Sequence, residues 1–462
     1  MENDRYDIVI VGGGVSGTAL LYALSHYTDI QRIALIEKYH LFGQVNSHAK
    51  NNSQTLHMGD IETNYSAEKA RQVRGAAGMV KRYTETLPPE ERDTILRRVQ
   101  KMVLAVGQGE VETLEKRHDA LKEIFPELQK LDAHGIAEAE PEVMRGRDPH
   151  ELVLGLCSSQ GYAVDFGLLA RSFARRAQEA AGNTVNLLLG HTVEQIERRD
   201  GVYILNTDKG PVRADIVVVN ADAHSLGFAK SLGYGKEFSL IPIAGSFYFT
   251  PQKLRGKVYR VQDPRMPFAA VHGDPDLTAP GLTRWGPTAR FYPALEAGKL
   301  STMRQFFSAS GMHRIATWAS FGSILLDPLR FWYLLRNFFY DLPVIGTYFL
   351  LPQLRKIVPT LRGRDVRRAR GYGGMRLQRV DTRTRELLLG EGKIIGDKII
   401  FNMSPSPGAS VCLYNAMRDA EAISGFFPDE DYHFDKARMA RDLCEEKIET
   451  IEDPSLYDTY AS

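Results

Sequence analysis

Near the start of the chain an apolar run, Tyr6-Asp7-Ile8-Val9-Ile10-Val11, leads into Gly12-Gly13-Gly14-Val15-Ser16-Gly17. The turn fits G-x-G-x-x-G. A second apolar run, Ile33-Ala34-Leu35-Ile36, ends at Glu37, about twenty residues past the last glycine. In this pattern Gly12 permits the tight turn, Gly14 lets backbone approach a pyrophosphate, and Gly17 lets a helix pack closely on the strand. The helix start offers free N–H groups and a partial positive charge to phosphates. Glu37 can accept hydrogen bonds from ribose hydroxyls. These residue types at this spacing point to an adenine dinucleotide, and they require a strand, a helix and a second strand to position them.

The rest of the chain supplies room for such a fold. At 462 residues it can bury a large core and holds two domains. The net charge of +1 gives no global reason to expect nucleic-acid binding. Cys157, Cys412 and Cys444 are too far apart for a disulfide framework or a zinc pattern, which fits a reducing compartment and no metal site. The first apolar run reads as the cofactor strand and not as a signal peptide. No uncharged run reaches the roughly 18–20 residues of a spanning helix.

The α/β patterning is discontinuous. Residues 1–85 read as the first part of a dinucleotide-binding domain, and 86–150 as a charged helical insertion. Residues 151–245 return to α/β pattern, with a helix from Phe166, strands near Val193 and Tyr203, and a buried strand Asp215–Asn220. Residues 246–370 read as a substrate-facing domain, aromatic and basic from 311 onward. Residues 371–425 hold a last strand and helix of the first domain. Residues 426–462 read as a polar tail. The expected fold is therefore α/β: a Rossmann-like domain assembled from separated segments, with an inserted mixed α+β domain. No second G-x-G-x-x-G follows a strand, and Gly371-Tyr372-Gly373-Gly374 does not fit. A single dinucleotide that substrate must reduce directly points to FAD.

Several stretches then resemble the malate:quinone oxidoreductases. They are the loop Asn52–Ser66, the Val164-Asp165-Phe166-Gly167 start of a helix, His272 with Thr283-Arg284-Trp285-Gly286-Pro287, and Ser406-Pro407-Gly408-Ala409-Ser410. Gly17 stands where many members have Ser, and Gly273-Asp274 follows His272 where the family often has Leu-Asp. The resemblance implies oxidation of L-malate to oxaloacetate, with electrons passing through FAD to a membrane quinone. An L-2-hydroxyglutarate dehydrogenase or oxidase shares the same plan. A flavin-binding membrane-surface protein without dehydrogenase activity is the alternative from another class.

That chemistry needs a base for the hydroxyl proton, anchors for carboxylates and donors at the flavin edge. A histidine is neutral and basic near pH 7, and the motif contexts select His57 and His272. Arginine's fork suits carboxylates, which selects Arg284 and Arg376, the latter in Gly374-Met375-Arg376-Leu377-Gln378. Gln54 and Thr55 add polar contacts. Gly408, Ala409 and Ser410, at a helix start, can offer N–H groups to the flavin carbonyl, and Val193 lends backbone to adenine. A quinone acceptor implies contact with lipid. The run Phe331–Tyr340 with Val344, Ile345 and Tyr348–Leu351, followed by Arg355, Lys356, Arg362, Arg364, Arg367, Arg368 and Arg370, reads as an interfacial anchor. The expected location is peripheral, on the cytoplasmic side of the cytoplasmic membrane.

Overall fold

The apolar run at the start of the chain forms β1 (Arg5–Val11), whose last four residues are buried. It pairs in parallel with β2 (Arg32–Glu37) on one side and with Gly210–Val219 on the other. Thr184–Leu189 extends this order beyond β2, and Ile399–Met403 beyond Gly210–Val219. Gly392–Gly396, Tyr457–Thr459 and the antiparallel pair Val193–Arg199 and Val202–Thr207 complete a nine-stranded sheet. A strand covered on both faces needs a continuous apolar run, which is what β1 and Gly210–Val219 carry. Between them, α1 (Val15–Tyr27) is buried around almost its whole circumference. It packs against the helices Phe166–Glu179 and Cys412–Ser424. The sheet thus gathers segments from the start, middle and end of the chain, as a Rossmann-like domain built from separated pieces. This computed structural model describes residues 5–262, 270–342, 345–388, 391–404, 408–427, 432–444 and 457–459.

Two further sheets carry the other half of the molecule. In a four-stranded antiparallel sheet, Phe238–Ala244 pairs with Met375–Asp381. An eight-stranded mixed sheet contains Lys101–Val106, Lys257–Arg260, His272–Pro275 and Leu282–Gly286 as successive neighbours. Four helices, Met303–Ser310, Ile315–Leu325, Pro328–Tyr340 and Gly346–Arg355, follow these strands.

Two stretches differ from their sequence reading. Residues 86–150, expected to be helical, also contribute the strands Lys101–Val106 and Leu128–Leu131 to the eight-stranded sheet. Lys101-Met-Val-Leu-Ala-Val106 is a short buried run with no alternation, and the charged helix Gln108–Leu121 beside it masks it in any average. The stretch after 426, read as a polar tail, includes the helix Lys436–Leu443, whose Met439 and Leu443 are buried in the same core as α1. Two apolar residues four apart make a one-sided stripe, and the charged residues around them hide it.

Candidate active site

Three observations at the end of β1 test whether a dinucleotide fits there. Gly12 has φ +111°, and a Cβ on it would lie 2.4 Å from the Asn220 carbonyl oxygen. A Cβ on Gly17 would lie 2.0 Å from the Gly12 carbonyl oxygen. Gly14, in contrast, caps α1 with no side-chain acceptor, and a Cβ there would meet only Ser47 Oγ at 3.4 Å. The turn is therefore closed behind and open in front, at a helix N-terminus where Gly14 supplies no side-chain cap and Ser47 Oγ takes only the first N–H, that of Val15, at 3.0 Å, which is the cradle a pyrophosphate fits. Glu37 sits at the end of β2, where its carboxylate accepts from Gly13 N at 2.7 Å and Tyr39 N at 2.9 Å. Burial raises its pKa, against the pull of those N–H groups. His191 N donates to the Glu37 carbonyl at 3.0 Å and so brings Val193, the first residue of its strand, beside this end of the sheet.

The loop after β2 is held from several directions. Asn46 donates to Asp222 at 2.6 Å and accepts from Met375 N at 3.1 Å, joining three distant segments. The run Gly371–Gly374 explains itself here. A Cβ on Gly373 would strike the Gly245 carbonyl at 2.1 Å, and one on Gly374 the Asn51 carbonyl at 2.2 Å. Gln54 has φ 51°, and both ends of its amide are engaged, by Ala49 O at 3.0 Å and Leu277 N at 3.0 Å. Thr55 Oγ1 bonds Ser53 O and the Tyr259 hydroxyl. Both residues were expected to touch substrate. Both are fully buried, and these bonds hold the loop.

Strand register assembles the chemistry. Val258 lies opposite Gly273 in an antiparallel pair, so Lys257 lies opposite Asp274 and Tyr259 opposite His272. Side chains two apart on a strand share a face. Accordingly Lys257 Nζ lies 3.2 Å from Asp274, and the Tyr259 and His272 rings stack with centroids 4.5 Å apart. On the next strand Arg284 lies opposite Asp274 and bonds it at 2.9 Å. Gly273 between them has no room for a side chain, because a Cβ would lie 2.5 Å from the Trp285 ring.

Within this row His272 is 2% exposed. Burial pulls its pKa down to about 3, although Asp274 opposes the shift. Its Nδ1 faces the Ala270 carbonyl at 3.3 Å. A carbonyl can only accept, so the proton belongs on Nδ1 and the lone pair on Nε2. Among the described residues that Nε2 has no hydrogen-bond partner, and neither has Asp274 Oδ1, 3.8 Å away. Burial opposes ionisation of Asp274, but Arg284 and Lys257 hold its pKa below the ordinary carboxylate value.

The two arginines separate. Arg284, expected to hold a substrate carboxylate, is fully buried, pairs with Asp274 at 2.9 Å and Asp276 at 3.1 Å, and stacks on Phe247. Its charge is already matched by two carboxylates, because alternation on its strand turns it toward them. Arg376 is paired in register with Ile243 at the centre of the four-stranded sheet. Burial lowers its pKa, with the Tyr333 and Tyr259 hydroxyls as its electrostatic neighbours. Among the described residues its side chain has no hydrogen-bond or ion-pair partner.

His57 lies across the loop, with Nδ1 against Glu62 and its backbone N–H donating to Ser410 Oγ at 3.0 Å. Burial raises the Glu62 pKa, yet the bond to His57 wins and holds it low. Gly408, Ala409 and Ser410 form a turn, and the helix starts only at Cys412. Ser410 is buried against the 55–57 backbone, while Ser406 and Pro407 of the same motif lie outside the described residues. Sequence reading passed over Lys257, Tyr259, Asp274 and Glu62. The i, i+2 spacing of His272 and Asp274 was the one local signal available.

A family model described as FAD dependent oxidoreductase matches residues 7–407, the class that this cradle and sheet define. Solved structures agree on the fold. Glycine oxidase from Geobacillus kaustophilus superposes with TM-score 0.61 at 17% identity, covering 96% of this chain and 100% of that one. L-alpha-glycerophosphate oxidase from Mycoplasma pneumoniae, with FAD bound, gives TM-score 0.60 at 18% identity, covering 91% and 95%. A malate:quinone oxidoreductase of Helicobacter pylori strain J99 is 40% identical over 457 residues, 96% of this chain and 99% of that one. A probable malate:quinone oxidoreductase of Campylobacter jejuni is 40% identical over 437 residues, 92% and 97%. The chain belongs to the malate:quinone oxidoreductase family of FAD-dependent oxidoreductases, and its cofactor is FAD.

Proposed function

We propose that the protein oxidises L-malate to oxaloacetate and passes the electrons to a membrane quinone. The observation that carries the donor side is Arg376, a desolvated cation with no anion beside it among the described residues. Arg376 is half-buried and its charge is penalised by desolvation, and a dicarboxylate substrate would complete it with charge-assisted bonds. FAD, when bound, supplies the hydride acceptor for C2 of the substrate. The chain supplies the remainder. Arg376 holds a substrate carboxylate. His272 takes the hydroxyl proton at Nε2, and Asp274 offsets the charge of the imidazolium that results. Lys257 and Arg284 keep Asp274 ionised. Gly12, Gly14 and Gly17 shape the pyrophosphate cradle, Glu37 takes ribose and Val193 lines adenine. Backbone N–H groups of Gly408 and Ala409 serve the flavin edge, while Ser410 anchors His57 and its loop.

Anaerobic titration with L-malate tests this reading directly. The oxidised-flavin absorbance should bleach and return on adding a soluble quinone. A yellow protein that malate does not bleach would exclude malate as donor, and 2-hydroxyglutarate would then be tried on the same sample.

Membrane contact belongs to the same reading. Among the described residues no helix is long and apolar enough to cross a membrane. Large apolar side chains nevertheless stand in solvent on successive helices: Ile315 at 87% exposure, Leu326 at 81%, Trp332 at 65%, Phe338 at 56% and Tyr348 at 72%. Arg355, Lys356, Arg362, Arg364 and Arg367 are exposed nearby in the chain. An aromatic surface with basic residues matches an anionic bilayer, and peripheral attachment to the cytoplasmic face follows. The helix Pro328–Tyr340 is two-sided, since Asn337 and Tyr340 are buried while Phe338 is exposed. Phe338→Glu therefore leaves the fold intact. It should weaken binding to anionic vesicles by about 10- to 100-fold, the loss of one buried aromatic. Co-sedimentation that is unchanged would place the contact elsewhere.

A further inference from the structure

The same helix borders a cleft of about 930 Å³, within the size range of small-molecule sites. Leu329, Trp332, Leu335 and Phe339 line it from the helix, and Val271 lines it from the opposite side. Two features set it apart from a groove that packing has merely left open. The first is Tyr340, which lines the cleft, is 2% exposed, and has a hydroxyl with no hydrogen-bond partner among the described residues. A buried donor without an acceptor is costly, and a ligand oxygen would satisfy it. The second is position. Val271 immediately precedes His272, and Tyr333, another lining residue, is an electrostatic neighbour of Arg376. The outer rim includes Trp332, on the exposed aromatic surface. The cleft thus runs from the proposed lipid-facing side to the back of the substrate site.

We infer that this cleft is the acceptor site and admits a lipid-soluble quinone, a deduction that rests on the proposed malate:quinone reading. The occupant is fixed by chemistry. Aliphatic and aromatic side chains supply most of the wall, with Glu110, Arg260, Arg336 and Lys356 as its charged positions, which suits a planar carbonyl-bearing ring with a hydrocarbon tail. The Tyr340 O–H donates to a quinone carbonyl, and the tail leaves past Leu329, Trp332 and Phe339 toward lipid. Oxidation of malate to oxaloacetate releases two electrons and two protons. The quinone takes up two of each and departs as the quinol, so the exchange balances without another reactant.

Binding can be read without turnover. Decylubiquinone should quench Trp332 fluorescence in a saturable way, and the saturable signal should vanish in Trp332→Phe; Trp285 and Trp318 do not line the cleft. Tyr340→Phe removes only a hydroxyl that has no partner, so folding is retained. It should weaken decylubiquinone binding by about threefold to tenfold, the worth of one hydrogen bond. Leu335→Glu, at a half-buried position, places a charge beside the tail and should weaken binding at least tenfold, with less effect on a tail-less quinone. Unchanged affinity in both folded variants would overturn the assignment. Equal loss for tailed and tail-less quinones in Leu335→Glu would also overturn it, because no tail would then occupy the cleft. Malate bleaching of the wild-type flavin is measured separately. If malate fails to bleach it while decylubiquinone still quenches Trp332, the donor reading falls and the acceptor site stands.

Discussion

Arg376→Ala should raise the KM for malate by about 30- to 1,000-fold. A charge-assisted, bidentate carboxylate contact is worth roughly 2–4 kcal/mol, and each 1.4 kcal/mol is about tenfold in affinity. The same substitution should leave the fold as stable as before or more so. Arg376 has no partner among the described residues, so its removal strands no carboxylate. That is the reverse of the usual cost of breaking a buried ion pair, about 3–5 kcal/mol. Bound FAD should also remain, because Arg376 lies on Met375–Asp381 in the four-stranded sheet and not at the glycine turn. Arg376→Lys should recover only part of the affinity, since an ammonium is a point charge and not a fork. Steady-state kinetics, flavin content and a thermal melt on one preparation check all three statements. An unchanged KM would remove Arg376 from the site.

The glycine turn was legible in the sequence because strand, turn and helix each leave a local mark. What lay beyond reach were the roles of Arg284, Gln54 and Thr55. Their residue types suit substrate contacts, and orientation decides which protein groups they meet. Strand alternation turns Arg284 onto Asp274 and Asp276. A positive φ at Gln54 folds its amide back between Ala49 and Leu277. Lys257 and Tyr259 were invisible for the complementary reason. Their strand reads as an ordinary four-residue run, and only the pairing of Val258 with Gly273 brings them opposite Asp274 and His272. Register between strands distant in sequence is set by the whole sheet, so no window of sequence contains it. The aromatic stretch 328–340 was open to reading as core or as anchor, because amphipathic spacing serves either. The structure uses both faces, with Tyr340 buried and Phe338 exposed.

The second large effect separates the two histidines. His272→Asn should lower kcat for malate by about 10²- to 10⁴-fold, the usual worth of a general base. KM and flavin content should change little, since neither Arg376 nor the glycine turn contacts His272 by any hydrogen bond described. Asparagine keeps a donor toward the Ala270 carbonyl but offers no basic nitrogen at the Nε2 position. The pH dependence follows from burial. With its pKa pulled down to about 3, His272 is neutral from pH 5 to 8, so its own protonation produces no acid limb in that range. Stability carries the opposite signature. Unfolded histidine titrates near ~6.5, above the folded value, so the unfolded chain binds more protons in the interval between them. His272 therefore withdraws stability as pH falls from about 6.5 toward about 3, and the wild-type melting temperature should drop over that window more steeply than that of His272→Asn. A kcat that stays within threefold in His272→Asn would pass the proton to His57, whose Nδ1 rests against Glu62. His57→Asn would then show the loss instead.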